Sequence, residues 1–340
     1  MKKKIALVTG ISGQDGAYLA QLLLKKNYKV IGADRRSSRD DKWRLRELNI
    51  HDKVIIEDFE LTEISQIARL LNKYKFDEIY NLAAQSFVGS SFNSPITTAN
   101  VTGLGVLRIL EVIRSLNYKT KFYQASSSEM FGDVLEMPQK MTTPFNPVSP
   151  YAISKLFGHY MTINHRNAYK IFAVSGILFN HESPLRGEEF ITRKVTVGLA
   201  KIKAGKLKCL EIGNLDAKRD WGYAKDYVEA MWLSLQKKEP KDFILATGKT
   251  YTVRQFINEA IKHYGFNAYW TGKKDKEKLV LKGSKKTIIK INKEFYRPNE
   301  VNKLLGDPSM TKKYFKWKPK VNFKELVKIM CEADIRRYSK

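Results

Sequence analysis

The chain has 340 residues, of which 43% are hydrophobic and 28% are charged, and this composition excludes a mainly disordered or fibrous protein. The length suits one large domain or two interlocked domains. Lys and Arg number 61 against 35 Asp and Glu, so the formal net charge is +26. No zinc-finger, RRM or basic-zipper signature accompanies this excess, so charge alone does not distinguish a nucleic-acid binder from an enzyme with an anionic substrate or from a solvated lysine-rich surface.

Apolar β-rich segments alternate with helical segments through most of the chain. Predicted strands lie at residues 5–9, 28–34, 54–56, 78–82, 121–125, 171–178 and 243–246, and predicted helices at 17–24, 64–73, 104–116 and 151–167. This alternation predicts an α/β fold with a doubly wound parallel sheet. The rhythm ends beyond Asn180, and the Lys-rich residues 273–293 carry short β-like runs at 278–281 and 287–291. We therefore expect a smaller, mainly C-terminal lobe.

No targeting or membrane segment is predicted. The apolar residues 5–8 follow three lysines, but the polar residues after them are unlike a signal peptide. The longest stretch without a charged residue, residues 79–107, carries Asn, Gln, Ser, Thr and Pro throughout, which is unfavourable in lipid. Cys209 and Cys331 have no spaced partners, so neither a disulfide framework nor a metal site is predicted. A cytoplasmic protein is the expectation.

Three glycines, Gly10, Gly13 and Gly16, lie between the first predicted strand and the first predicted helix. In this context glycines allow a tight turn, and the helix N-terminus meets a pyrophosphate, so the loop predicts a Rossmann-type dinucleotide site. Arg35 and Arg36 follow the second strand after Asp34. Because guanidinium groups at that point suit a 2′-phosphate, NADP is favoured over NAD.

Two further motifs follow later strands. Tyr151 and Lys155 are four residues apart, hence on one helical face, where the ammonium can stabilise a tyrosinate base. Such a pair is also common on protein surfaces. The segment Ser126–Glu129 follows the fifth strand, where hydroxyls can polarise a carbonyl and Glu129 can remove a proton α to a ketone. The alternative for this segment is a helix N-cap with an acidic first turn.

Long strings of residues carry a resemblance that runs nearly end to end. They are TGISGQDG (9–16), NLAAQSFV (81–88), ASSSEMFG (125–132), SPYAISK (149–155), GILFNHESPLRG (176–187), RDWGYAKDYVEAMW (219–232) and YRPNEV (296–301). With these strings the chain resembles the GDP-mannose 4,6-dehydratases, extended members of the short-chain dehydrogenase/reductase superfamily. The resemblance implies an NADP-binding part at residues 1–178 plus about 213–250 and a GDP-sugar-binding lobe at about 179–212 plus 251–340.

The resemblance implies a redox-neutral loss of water from a GDP-sugar. Tyr151 would deprotonate the C4 hydroxyl, Lys155 would hold the nicotinamide ribose and lower the Tyr151 pKa, and Ser127 would bond the C4 oxygen. Glu129 would remove the C5 proton and, because Ser128 stands where related dTDP-glucose dehydratases carry Asp, would also protonate the leaving hydroxyl. Hydride returned to C6 gives the 4-keto-6-deoxy sugar, so NADP can stay tightly bound and be recycled.

The resemblance also implies two sets of binding residues. Glu60 and Thr97 depart from the Asp and Tyr usual in the family, which weakens the assignment of the adenine contacts. The implied cofactor-binding residues are Gly10, Ile11, Ser12, Gly13, Gln14, Asp15, Gly16, Arg35, Arg36, Glu60, Leu61, Leu82, Ala83, Ala84, Gln85, Ser86, Thr97, Lys155, His181 and Arg186. The implied substrate-binding residues are Ser86, Glu129, Tyr151, Asn180, Lys194, Arg219, Arg297 and Glu300, with Lys194, Arg219 and Arg297 on the diphosphate and Glu300 on guanine.

Several alternatives stay open. GDP-manno-heptose would undergo the same C4 to C6 chemistry, and a 4-keto-reductase or epimerase would share the fold but typically lacks the carboxylate of Glu129. Residues 36–38 and their arginine-rich flank resemble a loop through which subunits share cofactor contacts, so a homotetramer is expected, with a dimer as fallback. Neither nucleic acid nor a membrane is an expected partner; a nucleic-acid binder on this scaffold would show steeply salt-dependent affinity.

Overall fold

The structure, a computed structural model, describes residues 3–38, 40–296, 299, 301 and 303–339. Its strands are β1 (Ile5–Thr9), β2 (Lys29–Asp34), β3 (Ile55–Asp58), β4 (Glu78–Asn81), β5 (Lys121–Ser127), β6 (Phe172–Leu178), β7 (His181–Glu182), β8 (Leu210–Ile212), β9 (Lys218–Arg219), β10 (Gly222–Tyr223), β11 (Phe243–Leu245), β12 (Tyr251–Thr252), β13 (Ala268–Thr271), β14 (Lys278–Leu281) and β15 (Thr287–Ile291). Its helices are α1 (Gln14–Lys25), α2 (Trp43–Glu47), α3 (Ile64–Tyr74), α4 (Val88–Asn93), α5 (Pro95–Thr98), α6 (Leu104–Ser115), α7 (Pro150–Tyr169), α8 (Ile191–Lys203), α9 (Ala224–Leu235), α10 (Val253–Tyr264), α11 (Ser309–Phe315) and α12 (Phe323–Tyr338).

The predicted parallel sheet is confirmed. Seven strands lie in the order β3-β2-β1-β4-β5-β6-β11, and every neighbouring pair is parallel. Two boundaries differ from the prediction. Strand β5 continues through Ser127 because Ser126 and Ser127 still pair with β6, and α1 begins at Gln14, so Gly16 lies inside its first turn. Because all seven strands are parallel, their carboxyl ends lie at one edge of the sheet, and the candidate catalytic residues are found at that edge.

Helices cover both faces of this sheet. On one face, the in-register residues Leu7, Ile79 and Phe122 join a core with α3 and α6. On the other face, Val8 and Tyr80 join a core that α1 and α9 close. Because each strand buries both of its faces, its sequence is apolar almost throughout, and this pattern identified the strands.

A second sheet lies in the C-terminal part of the chain. Strands β13, β14 and β15 are antiparallel neighbours, and β15 adds β8 in parallel. The short runs predicted at residues 278–281 and 287–291 are β14 and β15. Helices α8, α10 and α12 pack on this sheet around a separate apolar core that includes Leu199, Phe256 and Ile289. The smaller lobe is thus confirmed.

One helical stretch, Pro95–Ser115, is long and apolar enough to cross a membrane by length and composition alone. Half of its apolar window is buried inside the protein. Val106, Ile109 and Leu110 belong to the core beneath the sheet. Packing in that core accounts for the apolar composition of the stretch.

Helix α12 is tied to α8 by a buried ion pair. Arg193 and Asp334 are 2% and 0% exposed, and the guanidinium donates to the carboxylate from Nε at 2.9 Å and from Nη2 at 2.8 Å. Thr196 Oγ1 adds a bond to the same carboxylate at 2.7 Å. The pair therefore fixes α8, the helix that carries the predicted diphosphate ligand Lys194.

Replacing Asp334 by Ala is expected to lower the free energy of unfolding by about 3 kcal/mol, since Arg193 is left buried without its counter-ion. Urea unfolding followed by circular dichroism measures the loss. Asp275→Ala is the matched control because the Asp275–Lys293 pair is on the surface, and no measurable change is expected there. Equal effects from the two variants would contradict the assignment.

Candidate active site

The glycine loop joins β1 to α1 in a turn that leaves no room for a side chain at Gly10 or Gly16. Gly10 has a φ of +68°, a conformation that favours glycine. A Cβ on Gly16 would lie 2.3 Å from the Gly10 carbonyl oxygen, so the first turn of α1 packs directly on the loop. Gly13 is the N-cap of α1 and has no side chain that could bond to the first N–H groups of the helix. The N–H groups at this helix start are therefore suited to a pyrophosphate, and the loop fits a dinucleotide.

The end of β2 contacts the same loop. The Asp34 carboxylate accepts hydrogen bonds from Ser12, from its backbone N–H at 3.1 Å and from its hydroxyl. Lys42 Nζ lies 3.7 Å from the same carboxylate. Arg35 and Arg36 follow and are exposed. Asp34 thus braces the loop while two guanidinium groups stand beside it in solvent, where they can meet a phosphate.

A space of about 120 Å³, here called the inner cavity, lies at the carboxyl edge of the sheet. Its walls come from the segments that follow β4, β5 and β6 and from the first turns of α1 and α7. The lining residues are Asp15, Leu82, Ala84, Ser86, Ala125, Ser126, Ser127, Ser128, Glu129, Tyr151, Lys155, Leu178, Phe179, Asn180, His181 and Arg186. The structure therefore brings together every predicted catalytic residue, and several predicted cofactor and substrate residues join them.

The serines and Glu129 are presented by the end of β5. A single 3₁₀ turn, Ser128–Phe131, follows the strand, and Ser127 Oγ accepts from the Glu129 backbone N–H at 3.2 Å. The N-cap interpretation of this segment is thus correct as far as local structure goes. The cap does not exclude a chemical role, because Ser127, Ser128 and Glu129 all line the inner cavity. Local structure here orients the side chains.

Tyr151 and Lys155 lie on the first turns of α7. Ser149 caps this helix through Ala152 N, and Pro150 occupies its first turn. Burial raises the pKa of Tyr151 to about 12, although a hydrogen bond with Ser127 opposes this rise. Burial also lowers the pKa of Lys155 to about 8. The phenol is consequently neutral at pH 7, and its predicted activation requires positive charge beyond that of the protein alone.

Asp15 and His181 form an ion pair at the wall shared by the glycine loop and the inner cavity. His181 Nε2 lies 2.7 Å from Asp15 Oδ2, and His181 Nδ1 lies 2.7 Å from the Phe179 carbonyl oxygen. Burial by itself would lower the pKa of His181, but the Asp15 carboxylate outweighs it and the pKa is raised. The imidazole also stacks on Tyr227 with ring centroids 4.7 Å apart. His181 therefore locks the start of α1 to the core.

The other predicted cofactor residues are less uniform in their placement. The backbone N–H groups of Leu82 and Ala83 donate to Thr9 Oγ1, both at 3.1 Å, so the fold already uses them. Leu61 is buried in the core beneath the sheet, whereas Glu60 is only half-buried. Thr97 is exposed on α5, outside the cavity walls described here. Glu60, Leu61 and Thr97, the three predicted residues that depart from or flank the adenine contacts, thus lie outside the lining of the inner cavity and of the larger cavity beside it.

A larger space of about 360 Å³, here called the outer cavity, meets the inner cavity at Asn180. Lys194 and Arg219 line it, as predicted for diphosphate ligands. The Lys194 ammonium lies 3.3 Å from the centroid of the Phe295 ring, a cation–π contact. Burial lowers the pKa of Lys194 because the ammonium loses hydration, and a bound anion would stabilise the charged form again.

Sequence reasoning missed the aromatic wall of the outer cavity. The side chains share large flat rings and come from separate parts of the chain: Phe87, Phe92, Phe190, Trp221, Phe295 and Tyr296. Phe87, Trp221 and Tyr296 lie in strings already singled out, but none of them was predicted to line a binding site. Arg297 and Glu300, predicted to bind diphosphate and guanine, lie outside the described residues.

Similarity to known proteins agrees with this geometry. The family model for GDP-mannose 4,6 dehydratase matches residues 7–330. The GDP-mannose 4,6-dehydratase of Vibrio cholerae serotype O1 is 48% identical over 354 aligned residues, which cover 99% of this chain and 95% of that protein. The chain belongs to the GDP-mannose 4,6-dehydratase family. The Homo sapiens GDP-mannose 4,6 dehydratase is also 48% identical, with 98% of this chain and 92% of that protein covered.

Solved structures of other sugar-nucleotide enzymes share the fold of this GDP-mannose 4,6-dehydratase family member. UDP-glucose 4-epimerase of Thermotoga maritima superimposes with a TM-score of 0.82 at 23% identity and covers 99% of this chain and 100% of its own. The dTDP-glucose 4,6-dehydratase of Bacillus anthracis gives 0.81 at 18% identity, with 99% and 98% covered. The resemblance drawn from the motifs is confirmed at the level of family and fold.

His181→Asn is expected to reduce the free energy of unfolding by about 3 kcal/mol near pH 6. The folded-state pKa of His181 is raised above its ordinary value of 6.5, so the ion pair contributes fully below that value and fades as the pH rises through the folded-state pKa. The loss should therefore be smaller near pH 9. Urea unfolding of the nucleotide-free protein at both pH values measures it.

His159→Asn is the control for this experiment. Burial lowers the pKa of His159, so wild-type stability suffers at acidic pH as the unfolded chain takes up a proton. Its replacement should consequently cost more at alkaline than at acidic pH, the opposite trend. A loss for His181→Asn that is independent of pH would contradict a charged Asp15–His181 pair.

Proposed function

We propose that the protein converts GDP-mannose to GDP-4-keto-6-deoxymannose and water. The observation that carries this proposal is the carboxylate of Glu129 on the wall of the same inner cavity as Tyr151 and Lys155. A carboxylate there suits removal of a proton α to a ketone, which a 4-keto-reductase or an epimerase does not need. Membership of the GDP-mannose 4,6-dehydratase family supports the same substrate.

The chain's own residues would move protons in three steps. Tyr151 takes the proton of the C4 hydroxyl while Ser127 donates a hydrogen bond to the developing carbonyl oxygen. Glu129 then removes the C5 proton, which the C4 ketone makes acidic. In the last step Glu129 gives that proton to the C6 hydroxyl, which leaves as water, and Tyr151 gives its own proton to C5, so that the protons balance. Ser128 is buried beside it and offers no second carboxylate, so one residue carries both transfers.

NADP is the proposed cofactor, and it supplies reversible hydride acceptance, so that no external reductant is consumed. The loop from Gly10 to Gly16 and the uncapped start of α1 would hold the pyrophosphate. Arg35 and Arg36 are exposed beside Asp34 and would meet the 2′-phosphate. Lys155 would donate to the nicotinamide ribose, and Asp15, His181 and Arg186 would close the site around it.

The GDP part would occupy the outer cavity. Lys194 and Arg219 would neutralise the diphosphate with charge-assisted hydrogen bonds, and the aromatic wall would pack on the nucleoside. Because Asn180 lines both cavities, it would contact the sugar where it passes from one to the other. Ser86 would face the sugar from the inner side. Arg297 and Glu300 keep their proposed roles at the diphosphate and guanine.

We also propose the two-part organisation drawn from the resemblance, with NADP bound by residues 1–178 plus about 213–250 and the GDP-sugar by the remaining segments. Its support is the separation of the two sheets and of their apolar cores. Some side chains cross this division, since Leu185 and Phe315 pack in the core of the large sheet and Trp221 packs in the core of the smaller one. A cytoplasmic location fits the two free thiols, Cys209 and Cys331.

The homotetramer is proposed on a surface feature. Apolar side chains of α5, α6 and α7 are exposed together: Ile96, Leu104, Ile153, Phe157 and Tyr160. Helices α6 and α7 pack side by side, and Phe157 of α7 contacts Gly103 just before α6. A second copy of the chain would cover this face. The exposed residues Arg35–Ser38 beside the glycine loop offer the second contact that a tetramer needs.

Phe157→Glu is expected to split the assembly into smaller species because it places a charge in a buried apolar contact. Sedimentation velocity at several protein concentrations measures the distribution. Ile64→Glu, on the exposed surface of α3, is the matched control and should leave the distribution unchanged. A wild-type protein that sediments as a monomer would overturn the proposal.

Glu129→Gln is expected to lower the rate of water loss by about a thousandfold while C4 oxidation continues, since only the C5 proton transfer requires the carboxylate. Reduced nicotinamide absorbance should then persist after GDP-mannose is added, and mass spectrometry should show the GDP-sugar with its water retained. Glu229→Gln, which alters an exposed carboxylate paired with Lys320, is the control.

Normal turnover by Glu129→Gln would contradict the assigned role. The same product analysis with wild-type protein separates GDP-mannose from GDP-manno-heptose, since only the true substrate loses one water at a useful rate. Stoichiometric consumption of NADPH by the wild type would instead favour a 4-keto-reductase.

A further inference from the structure

A buried row of polar side chains crosses the sheet at the level where β1 and β4 end. Thr9, Asn81 and Gln124 are in-register neighbours on β1, β4 and β5, and each is at most 1% exposed. Thr9 Oγ1 and Asn81 Oδ1 are 2.8 Å apart, and Asn81 Nδ2 donates to Gln124 Oε1 at 2.8 Å. Gln124 Nε2 then donates to the Ala125 carbonyl oxygen at 3.1 Å. The row thus joins the glycine-loop strand to the end of β5.

The direction of every bond in the row is set at Thr9. Its hydroxyl oxygen accepts from the backbone N–H groups of Leu82 and Ala83, both at 3.1 Å, so its own proton is left to donate to Asn81. Asn81 must therefore present its oxygen to Thr9 and its NH₂ to Gln124. Gln124 in turn must accept with its oxygen and donate with its NH₂. A reversed amide at either position would set two like groups against each other.

The row ends on the atom that holds Lys155. Lys155 is 5% exposed, and its Nζ donates to the Ala125 carbonyl oxygen at 2.8 Å. That oxygen has two lone pairs, and Gln124 Nε2 occupies one of them. The second lone pair receives the ammonium. Gln124 itself lines no part of the inner cavity as described, so any effect it has on the site passes through this carbonyl.

The apolar row just below shows that core packing alone does not call for these amides. Two residues earlier on the same strands and the same face, Leu7, Ile79 and Phe122 fill the core with hydrocarbon. Burying two amides and a hydroxyl in place of such residues is favourable only when every donor and acceptor is satisfied. The chain of bonds gives each of these polar atoms at least one partner and ends with the Gln124 amide on the Ala125 carbonyl.

We propose that Gln124 is a positioning residue for Lys155: its amide N–H occupies one lone pair of the Ala125 carbonyl and so fixes where, and how strongly, that carbonyl holds the ammonium. This role rests on the proposed function, in which Lys155 acts beside Tyr151. Without the amide, the carbonyl directs its full acceptor capacity to Lys155 and is free to tilt. The charged form of Lys155 then gains stability, so its pKa rises.

Other charged and titratable groups face Lys155 and stay unchanged in the test. They are Asp15 from α1, Glu129 from the turn after β5, Tyr151 and His159 from α7, and His181 and Arg186 from the segment after β6. The side-chain amide of Gln124 bonds to Asn81 and to the Ala125 carbonyl oxygen. A shift at Lys155 in an uncharged Gln124 variant therefore reports on the carbonyl.

The test compares Gln124→Met, which removes both amide groups at nearly the same volume, with Gln124→Glu. The glutamate keeps the acceptor for Asn81 but replaces the donor with a negative charge. Competitive labelling of lysines with acetic anhydride over a pH series, read by mass spectrometry, gives the pKa of Lys155 without any turnover. We expect Gln124→Met to raise that pKa and Gln124→Glu to raise it further, by about one unit or more.

Turnover of GDP-mannose over the same pH range is the second measurement. We expect kcat near pH 7 to fall between about tenfold and 100-fold in both variants because Lys155 is displaced, with the alkaline limb of the profile, on which Lys155 loses its proton, moved upward. Gln139→Met is the matched control. Gln139 is equally buried, and its amide donates to the Glu136 carbonyl oxygen and accepts from the Leu305 N–H. Neither of these hydrogen bonds leads to Lys155. The variant should lose stability without moving the Lys155 pKa.

Each outcome decides the matter. An unchanged Lys155 pKa in a folded Gln124 variant overturns the proposal even if kcat falls, since the loss would then be structural. If Gln124→Met does not fold, Gln124→Leu, which also lacks the amide and adds no charge, carries the test. A wild type that fails to dehydrate GDP-mannose refutes the proposed function, while the labelling still decides whether Gln124 governs Lys155.

Discussion

The parallel register of the large sheet is the constraint on which the site depends. In-register parallel strands end together, so the segments that leave them begin at one edge. The glycine loop follows β1, Asp34 and Ser127 end β2 and β5, and His181 comes shortly after β6, although these residues are far apart in the sequence. Helix α7 adds Tyr151 and Lys155 to the same edge through its capped first turns. A change of register by one residue would disperse this set, because every side chain would move to the opposite face.

Burial is the second constraint, and it acts on the site in two opposite ways. The Asp15–His181 pair offsets the cost of burial because each charge stabilises the other. Tyr151 and Lys155 are not offset in this way, so burial moves their pKa values apart, to about 12 and about 8. Both shifts favour the uncharged side chain. The charge of a bound nucleotide would therefore change the protonation of Tyr151 and Lys155.

Sequence patterns predicted the parts of the fold that repeat. Strands buried on both faces are continuous apolar runs, and the spacing of Tyr151 and Lys155 survives in α7 because four residues make one helical turn. The predicted start of α1, residue 17, is three residues too late because glycine is typical of loops. In the structure α1 begins at Gln14, and the absence of a Cβ on Gly16 allows the first turn to pack on Gly10. The aromatic wall of the outer cavity has no periodicity. Phe87, Phe190 and Phe295 meet only through tertiary packing, which no local pattern encodes.

The division into two cavities separates chemistry from recognition. The inner cavity is built from strand ends of the large sheet and from first helical turns, where hydrogen bonds of the strands and helices hold the backbone. The outer cavity takes much of its wall from α8, from residues 213–221 and from residues 295–296, where side chains of several segments converge. Rigid positioning matters most for proton transfer, since small displacements of reacting groups cost large factors in rate. Recognition tolerates more variation, because aromatic packing and ionic contacts fall off more gradually with distance. Asn180 lines both cavities. In the proposed function the sugar therefore contacts Asn180 while the nucleotide is bound in the outer cavity and C4 to C6 react in the inner one.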